Sequence, residues 1–278
     1  MNSLLLNPAV QSGVIPLIAA VICAWILKRA GWYWSGLGFA AAYYISVYFA
    51  AGFQFTPLTS TRKLLLLGII AVLLGLVLDF VRQNPKVIFP GVFVAAAVAV
   101  AWIIWPVAAR QEGGEFWLML LPSLVYAGWL TAGTERLHSL PDQGAMVALA
   151  LGLGTGISAL LGASALLGQL GIAIGAIAGG YLLLLVFKQE IPLGSNLTLP
   201  VGLLSSLLGI AAVVYASLPW YSLLPLALIP VTINIPLPGE LSRFFRLLLL
   251  AAYTLPLTII AIVITWYVTS SNQSMYAL

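Results

Sequence analysis

Stretches of about twenty mostly apolar residues, long enough to cross a bilayer as a helix, recur ten times along this chain. They fall at roughly 9–27, 33–53, 63–81, 87–108, 115–133, 143–161, 165–187, 197–217, 219–237 and 244–268. Short basic or turn-forming segments separate them, among them Lys28-Arg29, Arg82 to Lys86, Glu135 to Asp142 and Lys188 to Asn196. A soluble fold does not suit this pattern. Only 6% of the 278 residues are charged and 62% are hydrophobic, against about a quarter charged in an ordinary soluble domain. Such a chain cannot coat itself with water-facing side chains, so lipid must solvate most of its surface. The expected fold is an all-α, multi-pass membrane protein in a bacterial-type inner (plasma) membrane.

The net charge of +4 then reports loop orientation, and no nucleic-acid partner is expected. With the N-terminus outside, the inner loops carry Lys28, Arg29, Arg82, Lys86, Arg136, Lys188, Arg243 and Arg246. The outer loops carry only Arg62, Lys63 and Arg110. The excess of Lys and Arg in cytoplasmic loops selects this orientation. Ten spans also return the C-terminus to the outside, where TSSNQSMYAL has no basic residue. Trp32, Trp34, Trp105, Trp117, Trp220 and Trp266 mark span ends, as interfacial anchors do. The opening MNSLLLNPAVQ has no basic run before its first apolar stretch, so that stretch is expected to remain as a span. Cys23 is the single cysteine; it sits in an apolar run and suits a small core position.

The chain also matches itself weakly at an offset of 133 to 135 residues. Pro8 falls on Pro141, Leu37-Gly38 on Leu170-Gly171, and Tyr48 on Tyr181. Further on, Leu73-Leu74-Gly75 falls on Leu207-Leu208-Gly209, Pro85 on Pro219, Pro90 on Pro225, and Pro122 on Pro256. The prolines keep their order along the whole length, although there are only 16 of them. This divides one membrane domain into two halves, 1–137 and 138–278, of five spans each. Five is odd, so the second half enters from the opposite side, and the halves are inverted repeats. Secondary carriers commonly use this ground plan.

Candidate functional residues follow from the repeat. The segment Ser217 to Pro238 is apolar but carries Pro219, Pro225, Pro230, Pro236 and Pro238. Proline removes a helical hydrogen bond, and unpaired backbone in a membrane is tolerated only where protein or a water-filled cavity covers it. Its repeat partner, the fourth span, carries Pro90-Gly91. If both spans are broken, their free backbone ends face each other near the midplane. The expected substrate site is therefore Pro90, Gly91, Pro225, Pro230, Thr232 and Asn234; the plainer alternative is proline kinks packed against neighbours. Small residues at four-residue spacing, Gly38, Ala42 and Ser46 in the second span and Gly171, Gly175 and Gly179 in the seventh, favour close helix packing. That packing would serve a homodimer interface, an internal contact or a sliding surface. Asp79 is the only acid near the body of a span. It is a coupling or gating candidate with Arg82, or one half of an i,i+3 ion pair at the interface. Gln54, Thr56, Thr59, Ser60 and Thr61 before the third span read as a helix cap or as an anion-attracting mouth. His138, the only histidine, reads as part of a solvated linker between the halves. No P-loop, HExxH or haem-binding histidine pair occurs. Catalysis, a metal and a cofactor are therefore not expected, and the partners are the lipid bilayer and a small solute.

Ten spans, five plus five inverted, with both termini outside and partner spans four and nine broken, resemble the plan of the bile-acid, arsenite and auxin-efflux type carriers. The auxin-efflux-like branch shares the outside termini. The resemblance is architectural and implies neither a substrate nor a set of residues. The expected function is a carrier for a small organic or lipid-like solute. The alternatives are a non-catalytic subunit that scaffolds a larger membrane complex, and a channel.

Overall fold

A computed structural model of the protein describes residues 7–30, 34, 36–52, 56–81, 85–162, 164–187, 191–232, 235 and 241–275. Those residues are helices and their connections. A π-helical turn, Val10–Val14, leads into α1 (Ile15–Ala30). It is followed by α2 (Leu37–Ala51), α3 (Ser60–Phe80), α4 (Pro85–Ala108) and α5 (Gly114–Glu135). The second half contains α6 (Pro141–Leu161), α7 (Ala165–Val186) and α8 (Ser195–Ala216). A 3-10 turn, Trp220–Ser222, leads into α9 (Leu223–Thr232), and α10 (Arg243–Met275) closes the chain. Helix is what a lipid-solvated chain must form, because every backbone polar group then finds its partner within the segment.

Among the described residues these ten α-helices overlap the ten apolar stretches, and eight of them are long and apolar enough to cross a membrane. The two others are shorter. α2 has 15 residues, about 22 Å at 1.5 Å per residue, and the Trp220–Thr232 helix is shorter still. Neither matches the roughly 30 Å hydrocarbon core. Two expectations need correcting. Helix α4 runs unbroken through Pro90 and Pro106, so the fourth span is not a broken one. The tenth stretch, expected to end near 268, runs on into TSSNQSM, because α10 continues as a helix to Met275.

Helix α8 lies at the centre and is almost wholly buried, with α6 and α7 next. The other long helices bury only a third or so of their surface. Their outward faces carry large apolar side chains, such as Leu118 on α5 at 76% exposed and Val98 on α4 at 63%. The span-end tryptophans Trp34, Trp105, Trp117, Trp220 and Trp266 also point outward.

The helices sort into packing groups. Helices α1, α2, α6 and α7 form one: α1 packs on α2 and α7, α2 on α7, and α7 on α6. Helices α3, α4, α5 and α8 form another: α3 and α5 pack on α8, and α4 on α5. The groups meet chiefly where α6 crosses α8. Helices α9 and α10 pack on each other and lie against α6. Among the described residues, α6 and α7 bring backbone closest to backbone: a Cβ at Gly152 would lie 2.3 Å from the Gly175 amide nitrogen. Only glycine lets these two backbones approach so far.

Candidate functional site

The chain alternates direction, so helix ends from both halves collect at two levels. At one level lie the C-terminal ends of α3 and α5 and the N-terminal ends of α6, α8 and α10. The N-terminus of α8 is its centre. Gly194 precedes the helix at φ +69°, a backbone conformation that glycine adopts without strain. A side chain there would also strike Asp79 Oδ2, 2.7 Å from an added Cβ. The first amides of a helix have no partner within it, and here Asp79 supplies one. The Ser195 amide donates to its Oδ1 at 2.6 Å and the Asn196 amide to its Oδ2 at 3.1 Å. Asp79 comes from the end of α3, 116 residues away in sequence. Its negative charge also meets the positive end of the α8 dipole.

Glu135, the last residue of α5, approaches the same helix start and is 5% exposed. The hydroxyls of Ser195 and Thr198 both donate to its carboxylate, the latter at 2.9 Å. The carbonyl of His138 accepts from the Gly194 amide at 3.3 Å. The link between the halves is thus not simply a solvated linker. His138 itself is exposed, but Glu135 and Leu137 are buried, and the segment is fastened to α8. The linker reading is corrected accordingly, because tertiary hydrogen bonds hold this loop down.

A second fastening ties α6 to α10. Asp142, in the first turn of α6, accepts from Arg243 Nε at 2.9 Å, and Arg243 Nη2 lies 2.9 Å from the same oxygen. Arg246 Nη1 stands farther off, at 3.8 Å. The geometry predicts that Arg243→Ala lowers thermal stability by about 1–2 kcal/mol and that Arg246→Ala lowers it by less than about 0.5 kcal/mol, as hydrogen-bonded and loose pairs differ. Thermal unfolding of the two purified variants in detergent checks the ranking.

Most of the buried polar side chains are hydroxyls. Several bond to a carbonyl one turn back, as Thr134, Ser206, Thr254 and Thr265 do. Thr155, Ser158, Ser205 and Ser222 are at most 1% exposed and have no hydrogen-bond partner among the described residues.

The residues expected from sequence fall in several places. Pro225 and Pro230 on α9 are buried, the latter against α5 at Gly133. Thr232 donates back to the Ile229 carbonyl at 2.7 Å. Asn234 lies outside the described residues. Pro90 and Gly91 are on an exposed face of α4, with open space beside Gly91, and α4 and α9 do not pack extensively on each other. The structure therefore does not bring the five described residues of this set together. Asp79 binds the α8 amides, and Arg82 lies outside the described residues. Of the small-residue rows, Gly171 packs on Gly156 and Gly175 on Leu153 of α6, while the nearest atom to a Cβ at Gly179 is Leu149 Cδ1 at 3.8 Å. Gly38 packs on Ala24 of α1, Ala42 is buried, and Ser46 donates to the Gln11 carbonyl at 2.8 Å. Gly38, Ser46, Gly171 and Gly175 thus meet the segment that precedes them in their own half, and Gly38 also approaches the Tyr181 hydroxyl of α7.

Glu135, Ser195, Thr198 and the four unpartnered hydroxyls had not been singled out from sequence. Gly194-Ser195-Asn196 does read locally as a helix start, but nothing local names the distant carboxylates that complete it. No protein-family model matches this chain, and no curated protein matches it.

Proposed function

We propose that this integral membrane protein is a carrier for a small organic solute, built from two inverted five-helix halves whose helices intermix in packing groups that move against each other. The observation that carries this reading is the sorting of helices by repeat position. The first and sixth helices fall in one group with the second and seventh, and the third and eighth fall together in the other, whereas the fourth and fifth pack with the third and eighth and the ninth and tenth lie against the sixth. A chain assembled without regard to its repeat has no reason to pack in that order. The parallel use of the Gly38 and Gly171 rows points the same way. The architecture is similar to the bile-acid, arsenite and auxin-efflux plan in its count of helices, and differs from it in the unbroken α4.

In this reading Asp79 and Glu135 keep α3, α5 and α8 together as one unit, and Asp142 keeps α10 with α6. Motion falls on the contacts of α8 with α6, α7 and α2. The end that holds Lys28, Arg29, Lys86, Arg136, Arg243 and Arg246 faces the cytoplasm. The protein catalyses no reaction. The rival reading is a scaffold subunit, which the nearly complete burial of α8 favours.

Spin-label distances in liposomes separate the two. One pair spans the groups, Ile22 on α1 and Val98 on α4; another stays within one, Val98 and Leu118. All three side chains are more than half exposed. A carrier gives a broad or two-peaked distance distribution for the first pair and a single narrow one for the second. A scaffold gives two narrow peaks.

A further inference from the structure

We propose that Thr155, Ser158, Ser205 and Ser222 form a binding site for a small neutral solute bearing hydroxyl or amide groups. The proposal rests on the carrier reading and names its substrate class. Helices α6 and α8 run in parallel, from Gly144 beside Leu193 at one end to Thr155 beside Gly209 farther in. A Cβ built on Gly209 would lie 3.7 Å from Thr155 Cγ2 and 3.0 Å from Leu223 Cδ2. So α6, α8 and the start of α9 meet at one point. Ser205 stands one turn before Gly209 on the same face, and Ser158 one turn beyond Thr155. Ser222 directly precedes Leu223. Counted along α8, Ser205 lies about 15 Å from the helix start, near the middle of a bilayer of roughly 30 Å. The site sits where the two packing groups touch, which is where a carrier must hold its cargo.

A buried hydroxyl with no partner costs about 1–3 kcal/mol. Helical Ser and Thr usually avoid this by bonding to the carbonyl one turn back, as Thr134 and Ser206 do here. Thr155, Ser158, Ser205 and Ser222 do not, nor does Thr131 on α5, and the four on the elements that meet at the Thr155–Gly209 contact are available to a ligand instead. Each hydroxyl can donate and accept, so the set suits a partner that does both. No Asp, Glu, Lys or Arg lies within two turns of these four residues in sequence. An ionised solute would enter the membrane interior without a counter-charge, at high cost. The chemistry therefore favours a neutral polyol or amide over an organic acid or amine.

The test measures thermal unfolding of the purified full chain in detergent, with glycerol, erythritol, xylitol or acetamide as neutral probes and acetate or choline as ionic ones. We expect saturable stabilisation by at least one neutral probe and by neither ionic probe. Thr155→Val and Ser205→Ala should weaken its apparent affinity about tenfold each, the equivalent of one lost hydrogen bond, while Ser206→Ala leaves it unchanged. Without probe, Thr155→Val and Ser205→Ala should be as stable as the parent or more so, because each removes an unpaired hydroxyl. Polyols also stabilise proteins by exclusion from their surfaces. A rise that never saturates, or that is equal in all variants, overturns the proposal. So does stabilisation by acetate or choline, or by no probe at all. The spin-label distances report independently: mobile groups without probe binding would remove this site and leave the carrier, and probe binding with immobile groups would do the reverse.

Discussion

Glu135→Ala is expected to destabilise the protein by about 3 kcal/mol, the sum of a cavity and a stranded buried donor. Glu135 is 5% exposed and Ser195 4%, so water cannot readily replace the lost carboxylate. Thr198 suffers less, because its hydroxyl also reaches the Gly194 carbonyl at 3.1 Å. Glu135→Gln keeps the volume and one carbonyl oxygen to accept from Ser195, and should cost about 1 kcal/mol. The order is read from thermal unfolding in detergent, followed by tryptophan fluorescence. An alanine variant as stable as its parent would mean that Glu135 does not hold α5 to α8.

The α6–α7 contact yields the other large effect. A Cβ at Gly156 would lie 2.3 Å from the Ile172 amide nitrogen, and one at Gly171 2.5 Å from Gly156 Cα. These are backbone atoms, which cannot swing aside as the tip of a side chain can. Gly156→Val should therefore cost at least the 1–3 kcal/mol or so typical of overpacking. We expect most of the variant to be lost from the monodisperse peak after extraction. Gly179→Ala is the matched control. Its nearest neighbour is Leu149 Cδ1 at 3.8 Å, an ordinary contact, so the variant should purify as the parent does. Equal losses at Gly156 and Gly179 would show that the tight approach of α6 and α7 is not what holds them.

Much of this fold is legible in the chain because the membrane leaves so few alternatives. Apolar runs of the right length must be helices, and eight of the stretches read from residue type are helices long and apolar enough to cross a membrane, the second and ninth being shorter. The helix ends were less legible. TSSNQSM continues α10 because nothing in it stops a helix, so the helix outlasts the apolar stretch 244–268. Proline misled in the opposite direction. Pro90 is the sixth residue of α4, past the four orphan amides of the first turn, and removes one internal hydrogen bond, yet the helix continues through it. The groups that fasten the bundle were least legible of all. Asp79 had a plausible neighbour three residues on in Arg82, yet its hydrogen bonds go to amides more than a hundred residues away. Glu135 looked like the first residue of a polar loop because Arg136 and His138 follow it. Its burial depends on where α8 begins, which only the tertiary fold decides. The unpartnered hydroxyls have the same character. A serine in a membrane helix ordinarily bonds to its own backbone, and sequence cannot identify those that do not.

Labelling of Ser205→Cys in a Cys23→Ala background tests the carrier account most directly. The native Ser205 side chain is 0% exposed, so a static protein hides a thiol there from both faces. A thiol reagent that cannot cross the bilayer is applied to sealed vesicles, to the outer face in one sample and the inner face in the other. The reaction is irreversible and therefore accumulates even sparsely populated open states. The account predicts slow labelling from each face separately. Labelling from neither face over hours would contradict it and leave a packed scaffold as the reading of this chain.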